Sequence, residues 1–170
     1  YCYMGGSRPI AYTPCGELMV FIFFGLVAVC GTYYLQTLEL TPEILLGACA
    51  AGCVAANVLV VNNTRDIEHD ASVNRRTLAV TLGRSRMLRI YKVLLFLPFA
   101  LLIAAALLDH RLFGLVAVVI LVPQALELAE DIKSSYGDAM SAIMFGTIKM
   151  EMKIAFLTTA VLAATRLLQG

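Results

Sequence analysis

Residues 44–70, ILLGACAAGCVAANVLVVNNTRDIEHD, decide the fold. From Ile44 to Val61 the run holds no Asp, Glu, Lys or Arg. At about 1.5 Å of rise per residue, a helix of that length matches the hydrocarbon core of a bilayer. Small residues recur every four positions within it, Gly47, Ala51 and Ala55 on one stripe and Ala48, Gly52 and Ala56 beside it. Such a helix packs closely against neighbours, which predicts a bundle rather than an isolated anchor. No turn residue intervenes before Asp70, so the helix is expected to continue past the membrane surface.

Outward from this stretch, uncharged or nearly uncharged runs recur at 18–35, 90–108, 112–128 and 154–168, giving about five expected spans with 44–61. The chain of 170 residues is 60% hydrophobic and only 15% charged, which excludes an ordinary water-soluble globule. The expected fold is all-α: one multi-pass transmembrane helical domain over 1–170, with the lipid bilayer as its solvent. Net charge is +1, and nucleic-acid binding needs a basic face rather than a balanced total, so no nucleic-acid partner is expected. Arg65, Arg75, Arg76, Arg84, Arg86, Arg89 and Lys92 lie in or beside the connection between spans two and three. Lys133, Lys149 and Lys153 flank the connection between spans four and five. The positive-inside rule places both connections in the cytoplasm. Residues 131–153 read as a cytoplasmic loop with a short helix, 140–148, on the membrane surface.

Cys30, Cys49 and Cys53 fall inside expected spans, and Cys2 and Cys15 on the cytoplasmic side, so the five cysteines read as small packing residues without disulfides. Cys49 and Cys53 share a helix face, but two thiols fall short of a zinc site. The chain opens at Tyr1 with a polar stretch, 1–17, that looks like a connection between two spans. On that reading it is the latter portion of a longer protein.

Residues 61–84, VNNTRDIEHDASVNRRTLAVTLGR, carry the chemistry. On a helix Asn63, Asp66 and Asp70 fall on one side, and Glu68 points elsewhere. Two carboxylates four apart repel unless a cation sits between or beside them. A Mg2+ ion takes one or two carboxylates, keeps several waters and binds substrate phosphates, so Asp66 and Asp70 suit a metal–diphosphate. Arg75 and Arg76 downstream can hold diphosphate oxygens through charge-assisted bonds, and Arg65 adjoins the acids. The competing reading is a set of ordinary interfacial charges. His69, without a second His or Cys nearby, reads as a solvated side chain.

The string Asn62-Asn63-Thr64-Arg65-Asp66-Ile67-Glu68-His69-Asp70, followed by Arg76-Thr77-Leu78-Ala79-Val80-Thr81-Leu82-Gly83, resembles the second aspartate motif of the UbiA-type membrane prenyltransferases. Within that family it is most similar to the branch that prenylates 1,4-dihydroxy-2-naphthoate in menaquinone synthesis. Residues 5–12, GGSRPIAY, and 16–28, GELMVFIFFGLVA, resemble the same branch. Asn74 and Arg75 stand where the branch usually has Gly and Lys.

The resemblance implies a nine-helix fold of which this chain forms the later part. It also implies a first aspartate-rich cluster in a missing N-terminal half, without which this fragment is expected to be inactive. Implied too are a cell (inner) membrane location and transfer of a polyprenyl group from a polyprenyl diphosphate to 1,4-dihydroxy-2-naphthoate, with decarboxylation. Asp66, Asp70 and Asn63 would then serve Mg2+, and Asn63, Arg65, Arg75 and Arg76 the diphosphate. Arg8 and Tyr12 are candidates for the acceptor side. Another UbiA-type enzyme with a different aromatic acceptor is the nearest alternative. A non-enzymatic membrane bundle or transporter subunit is the alternative of a different class, which would place ionisable residues at mid-membrane.

Overall fold

A computed structural model describes Gly5 and residues 9–169. Arg8 and Cys2 lie outside the described residues. After a 3-10 turn at Ile10–Tyr12, the described chain forms seven helices. These are α1 (Gly16–Thr37), α2 (Pro42–Arg65), α3 (Ile67–Ser72), α4 (Leu78–Leu82), α5 (Arg84–Leu108), α6 (His110–Ser134) and α7 (Ala139–Gln169). Four of them, α1, α2, α5 and α6, are long and apolar enough to cross a membrane.

Local chemistry sets the boundaries. α1 stops at Leu38, whose φ of 59° leaves the right-handed helix. Thr41 opens α2 by accepting the Ile44 N–H at 3.4 Å, with Pro42 in the first turn where a missing N–H costs nothing. The Asp109 carboxylate accepts the Arg111 N–H at 2.9 Å and opens α6, which begins as a 3-10 helix over His110–Leu121. Pro123 does not end this element, because it sits in the first turn of the α-helical half.

Helices α1 and α2 approach at glycines. A Cβ on Gly25 would lie 2.6 Å from the Ala48 carbonyl oxygen and 2.6 Å from the Gly52 Cα, and a Cβ on Gly52 would lie 2.7 Å from the Phe21 carbonyl oxygen. The Ala48/Gly52 stripe is therefore the contact line, and α1 is wound as a π-helix over Phe21–Cys30 alongside it. The other small stripe, Gly47, Ala51 and Ala55, lines a cavity instead.

The core lies among α2, α5, α6 and α7, around Val60, Met87, Tyr91, Phe99, Ile132 and Met150. The Tyr91 hydroxyl meets the Thr147 hydroxyl at 3.0 Å and joins α5 to α7. Arg84 donates to the Ile132 and Ser135 carbonyls at 2.9 and 2.7 Å and lies over the Tyr136 ring at 4.0 Å. Those bonds bring the two basic connections to the same end of the bundle.

Four expectations change. Residues 131–153 are not a loop with a separate surface helix: α6 runs to Ser134 and α7 starts at Ala139. Met140, Ile143, Thr147, Met150 and Ile154 are buried at helical spacing, while Lys149 and Lys153 are exposed, so this mixed segment is amphipathic rather than irregular. The expected fifth span, 154–168, is the far half of α7 and not an element of its own. The helix carrying the acids also relaxes at Asp66 (φ −95°, ψ 12°), which ends α2 and begins α3, although Asp70 N–H still reaches the Asp66 carbonyl at 2.8 Å. Cys15, Cys30, Cys49 and Cys53 are free; Cys53 is buried and Cys30 and Cys49 are partly buried, but Cys15 is exposed and is not the packing residue expected.

Candidate active site

The end of α2, the turn of α3 and the start of α4 enclose a cleft of about 220 Å³. Asn62, Asn63, Asp66, Asp70, Arg75, Thr77 and Tyr12 line it. The predicted face survives the relaxation at Asp66, because the period through Asp70 is preserved. Glu68 and His69 are exposed and take no part.

Each acid is met by an arginine. Arg65 grips Asp66 with two parallel bonds, Nε to Oδ1 at 2.7 Å and Nη2 to Oδ2 at 3.0 Å, and Nη2 also donates to Asn62 Oδ1 at 2.9 Å. This fork holds the Asp66 carboxyl below the usual carboxylate range. A carboxylate with a lowered pKa keeps its charge above its ordinary range and loses it only as pH falls through the lowered value, so Asp66 is an anion throughout neutral pH. Asp70 is 3% exposed and accepts from Arg75 Nη1 at 3.2 Å. The Arg75 guanidinium also lies 4.3 Å above the Tyr12 ring, with Nη2 3.4 Å from the hydroxyl.

The chain reverses between α3 and α4 at Asn74, whose φ is 57°. Glycine enters the left-handed region freely and asparagine is the side chain that best tolerates it. The Asn in place of the usual Gly is thereby explained. Arg75 N–H then bonds the Asp70 carbonyl at 2.9 Å and Arg76 N–H the Tyr12 carbonyl at 3.0 Å, which fixes Arg75 over the cleft. The Arg76 side chain is exposed and does not line the cleft.

Asn63, 7% exposed, donates from Nδ2 to Glu17 Oε1 at 2.9 Å. Glu17, Thr77 and Asn62 escaped the sequence reading. Glu17 had one signal, a carboxylate at the mouth of an otherwise uncharged span. Thr77 is 2% exposed and accepts the Val80 N–H at 3.4 Å, which starts α4.

A second, apolar cavity of about 460 Å³ lies deeper, against Gly47, Ala51 and Ala55 of α2 and Phe24, Leu102 and Ile154 of its neighbours. Ala51, Ala55, Leu59, Asn62, Asp66 and Asp70 follow one another at steps of three or four. The apolar cavity and the charged cleft therefore share one continuous face, about 22 Å long from Ala51 to Asp66. Half-buried Glu151 borders the cavity and was also missed.

The model for the UbiA prenyltransferase family matches residues 2–157. The chain belongs to this family. It is 43% identical over 81% of its length to a 1,4-dihydroxy-2-naphthoate octaprenyltransferase of Mycobacterium tuberculosis, covering 46% of that protein. It is 39% identical over 72% of its length to the Escherichia coli protein of the same name, covering 41% of it. To human UbiA prenyltransferase domain-containing protein 1 it is 31% identical over 79% of its length, covering 39% of that protein. The chain thus spans less than half the length of these relatives. No solved structure matches. With four helices able to cross a membrane, this UbiA chain is part of a multi-pass membrane protein, and UbiA prenyltransferases generally depend on a divalent metal.

Among the described residues no three His, Cys, Asp or Glu side chains converge as a closed metal cage. The donor set fits a hard ion held more openly: two carboxylates and an amide oxygen along one cleft wall, with room for water and phosphate oxygens.

Proposed function

We propose that the protein containing this chain transfers a polyprenyl group from a polyprenyl diphosphate to 1,4-dihydroxy-2-naphthoate, with loss of the acceptor carboxyl as carbon dioxide. The observation that carries this reading is the continuous α2 face. At one end lies a cleft lined by Asp66, Asp70 and the Arg75 guanidinium, and at the other an apolar cavity bordered by small residues. A prenyl diphosphate has that same division into a charged head and an apolar chain. The names of the Mycobacterium and Escherichia relatives favour the naphthoate acceptor.

Mg2+ held by Asp66, Asp70 and Asn63 would supply Lewis-acid stabilisation of the charge that develops on the departing diphosphate. The arginines have a role of their own. Arg65 and Arg75 hold the carboxylates in place; Arg75, which lines the cleft, has further N–H groups for diphosphate oxygens, while Arg65, engaged with Asp66, Asn62 and Ser141, acts through Asp66. Tyr12 supports Arg75 from the acceptor side of the cleft. The exposed Arg76 would reach substrate only by moving its side chain. Gly47, Ala51 and Ala55 leave the space in which the chain lies away from water, which protects the allylic cation from hydrolysis. Breaking the bond between the allylic carbon and the diphosphate oxygen gives that cation; the electron-rich ring forms the new carbon–carbon bond at the carbon bearing the carboxylate, and that carbon–carboxylate bond breaks to release carbon dioxide, its electron pair restoring the aromatic ring. A second aspartate cluster belongs to the remaining part of the longer protein, the cell membrane is the location, and the motif connections face the cytoplasm.

The test uses the full-length protein in membranes with a polyprenyl diphosphate, Mg2+ and a panel of aromatic acids. Naphthoate-dependent product is expected from the wild type. Asp66→Asn should lower the rate by at least about 100-fold, the scale of losing one preorganised charge-stabilising group. Near-normal turnover by that variant would overturn the assignment. Transfer to a benzoate in preference to the naphthoate would move the protein to another acceptor class.

A further inference from the structure

Glu17 is 5% exposed, in the first turn of α1, and no step of the proposed transfer uses it. Its Oε1 accepts the Asn63 amide N–H at 2.9 Å, and its Oε2 is buried with no hydrogen-bond partner. A buried carboxylate oxygen without a partner is costly, and native chains keep such groups where they serve a purpose. The partner it does engage lies 46 positions away and lines the charged cleft, so the contact joins α1 to the site.

The consequence for Asn63 is specific. An amide side chain has one donor end and one acceptor end, and near-isosteric flips exchange them. Glu17 offers only oxygen acceptors when ionised, so it fixes the Nδ2 end against itself. Asn63 Oδ1 has no hydrogen-bond partner among the described residues, and Asn63 lines the cleft together with Asp66 and Asp70. Were the amide reversed, its N–H groups would face the place of the cation and its oxygen would face a carboxylate. Glu17 therefore selects the orientation in which Asn63 offers a cation an oxygen.

We propose that Glu17 is a positioning residue for the divalent-metal site, acting through Asn63 by locking the amide with Oδ1 toward the metal. The glycine approach of α1 to α2 supports this role, since Gly25 and Gly52 fix the relative height of the two helices two turns or more from the Glu17–Asn63 bond. Outer partners of metal ligands commonly change metal affinity by about 10- to 100-fold when removed. The proposal rests on the metal–diphosphate reading of the cleft.

The experiment measures Mn2+ binding by electron paramagnetic resonance to the full-length protein in detergent with inorganic pyrophosphate present, for wild type, Glu17→Ala, Glu17→Gln, Asn63→Ala, the Glu17→Ala/Asn63→Ala double variant and Asp66→Asn. Glu17→Ala is expected to weaken Mn2+ by about tenfold, and the effect should vanish in the Asn63→Ala background. Glu17→Gln retains a carbonyl acceptor for Nδ2 and should recover affinity to within about threefold of wild type, which a purely electrostatic role would not allow. Glu17→Ala should also raise the Mg2+ concentration needed for half-maximal transfer and leave the KM of the aromatic acceptor unchanged. Unchanged Mn2+ affinity in Glu17→Ala, with binding lost in Asp66→Asn, would overturn the proposal and leave the site reading intact. Unchanged binding in Asp66→Asn would overturn both. Should Glu17→Ala fail to fold, loss of Mn2+ affinity in Glu17→Gln comparable to that in Asn63→Ala would overturn the role in orientation.

Discussion

Asn74 carries the reversal that brings Arg75 back over Asp70, and its φ of 57° makes it sensitive to any side chain that resists the left-handed region. Asn74→Gly should leave stability within a few tenths of a kcal/mol, whereas Asn74→Ala should cost about 1 kcal/mol and a β-branched valine more. Thermal unfolding of the full-length protein in detergent checks this order, and an alanine variant as stable as the glycine one would contradict it. Tyr12 gives a second residue-scale expectation. Tyr12→Phe removes only a bond of 3.4 Å and keeps the ring under Arg75, so the KM for prenyl diphosphate should change less than about twofold. Tyr12→Ala removes the platform and should raise that KM severalfold. The acids were legible in the sequence because a helical period of three to four is visible in a string. Glu17 was not, because its contact with Asn63 depends on the height at which two helices meet.

At the scale of elements, the two small-residue stripes of α2 look alike in sequence and differ in use. Ala48 and Gly52 meet α1, while Gly47, Ala51 and Ala55 face space. Gly52→Ala should overpack the α1–α2 contact, where the added Cβ would lie 2.7 Å from a backbone oxygen, at a cost of about 1–3 kcal/mol. Gly47→Ala meets nothing within 4 Å and should be neutral for stability. Gly47→Leu should instead shorten the prenyl chain accepted, read by product analysis with diphosphates of graded length. Equal chain-length profiles for wild type and Gly47→Leu would remove this cavity from the substrate path. A period of four predicts close packing somewhere, but which stripe packs is decided by the neighbour's own glycine at position 25. For the same reason the 131–153 segment was misread. Its charges are spaced so that they leave one apolar face, and only the presence of α2, α5 and α6 gives that face something to bury against.

Across the whole molecule, the basic connections gather at one end, tied by Arg84 to the end of α6 and by Arg65 Nη1 to Ser141 Oγ at 3.4 Å. The arrangement makes sidedness testable: a cysteine at Ser72 should react with an impermeant thiol reagent only from the cytoplasmic face, and one at Glu39 only from the opposite face. Labelling of both from one side would contradict the alternation of spans. The helical, membrane-embedded character was legible because hydropathy is a property of composition along the chain. The site required tertiary structure, since Tyr12, Glu17 and Arg75 reach the α2 face from three separate segments.

The cleft at the end of α2 should bind diphosphate through a divalent ion. Calorimetric titration of geranyl diphosphate into the full-length protein, without acceptor and with or without Mg2+, tests it most directly. Binding should require Mg2+ and be lost in Asp66→Asn and Asp70→Asn. Tight binding that persists without the metal, or in both variants, would contradict the account.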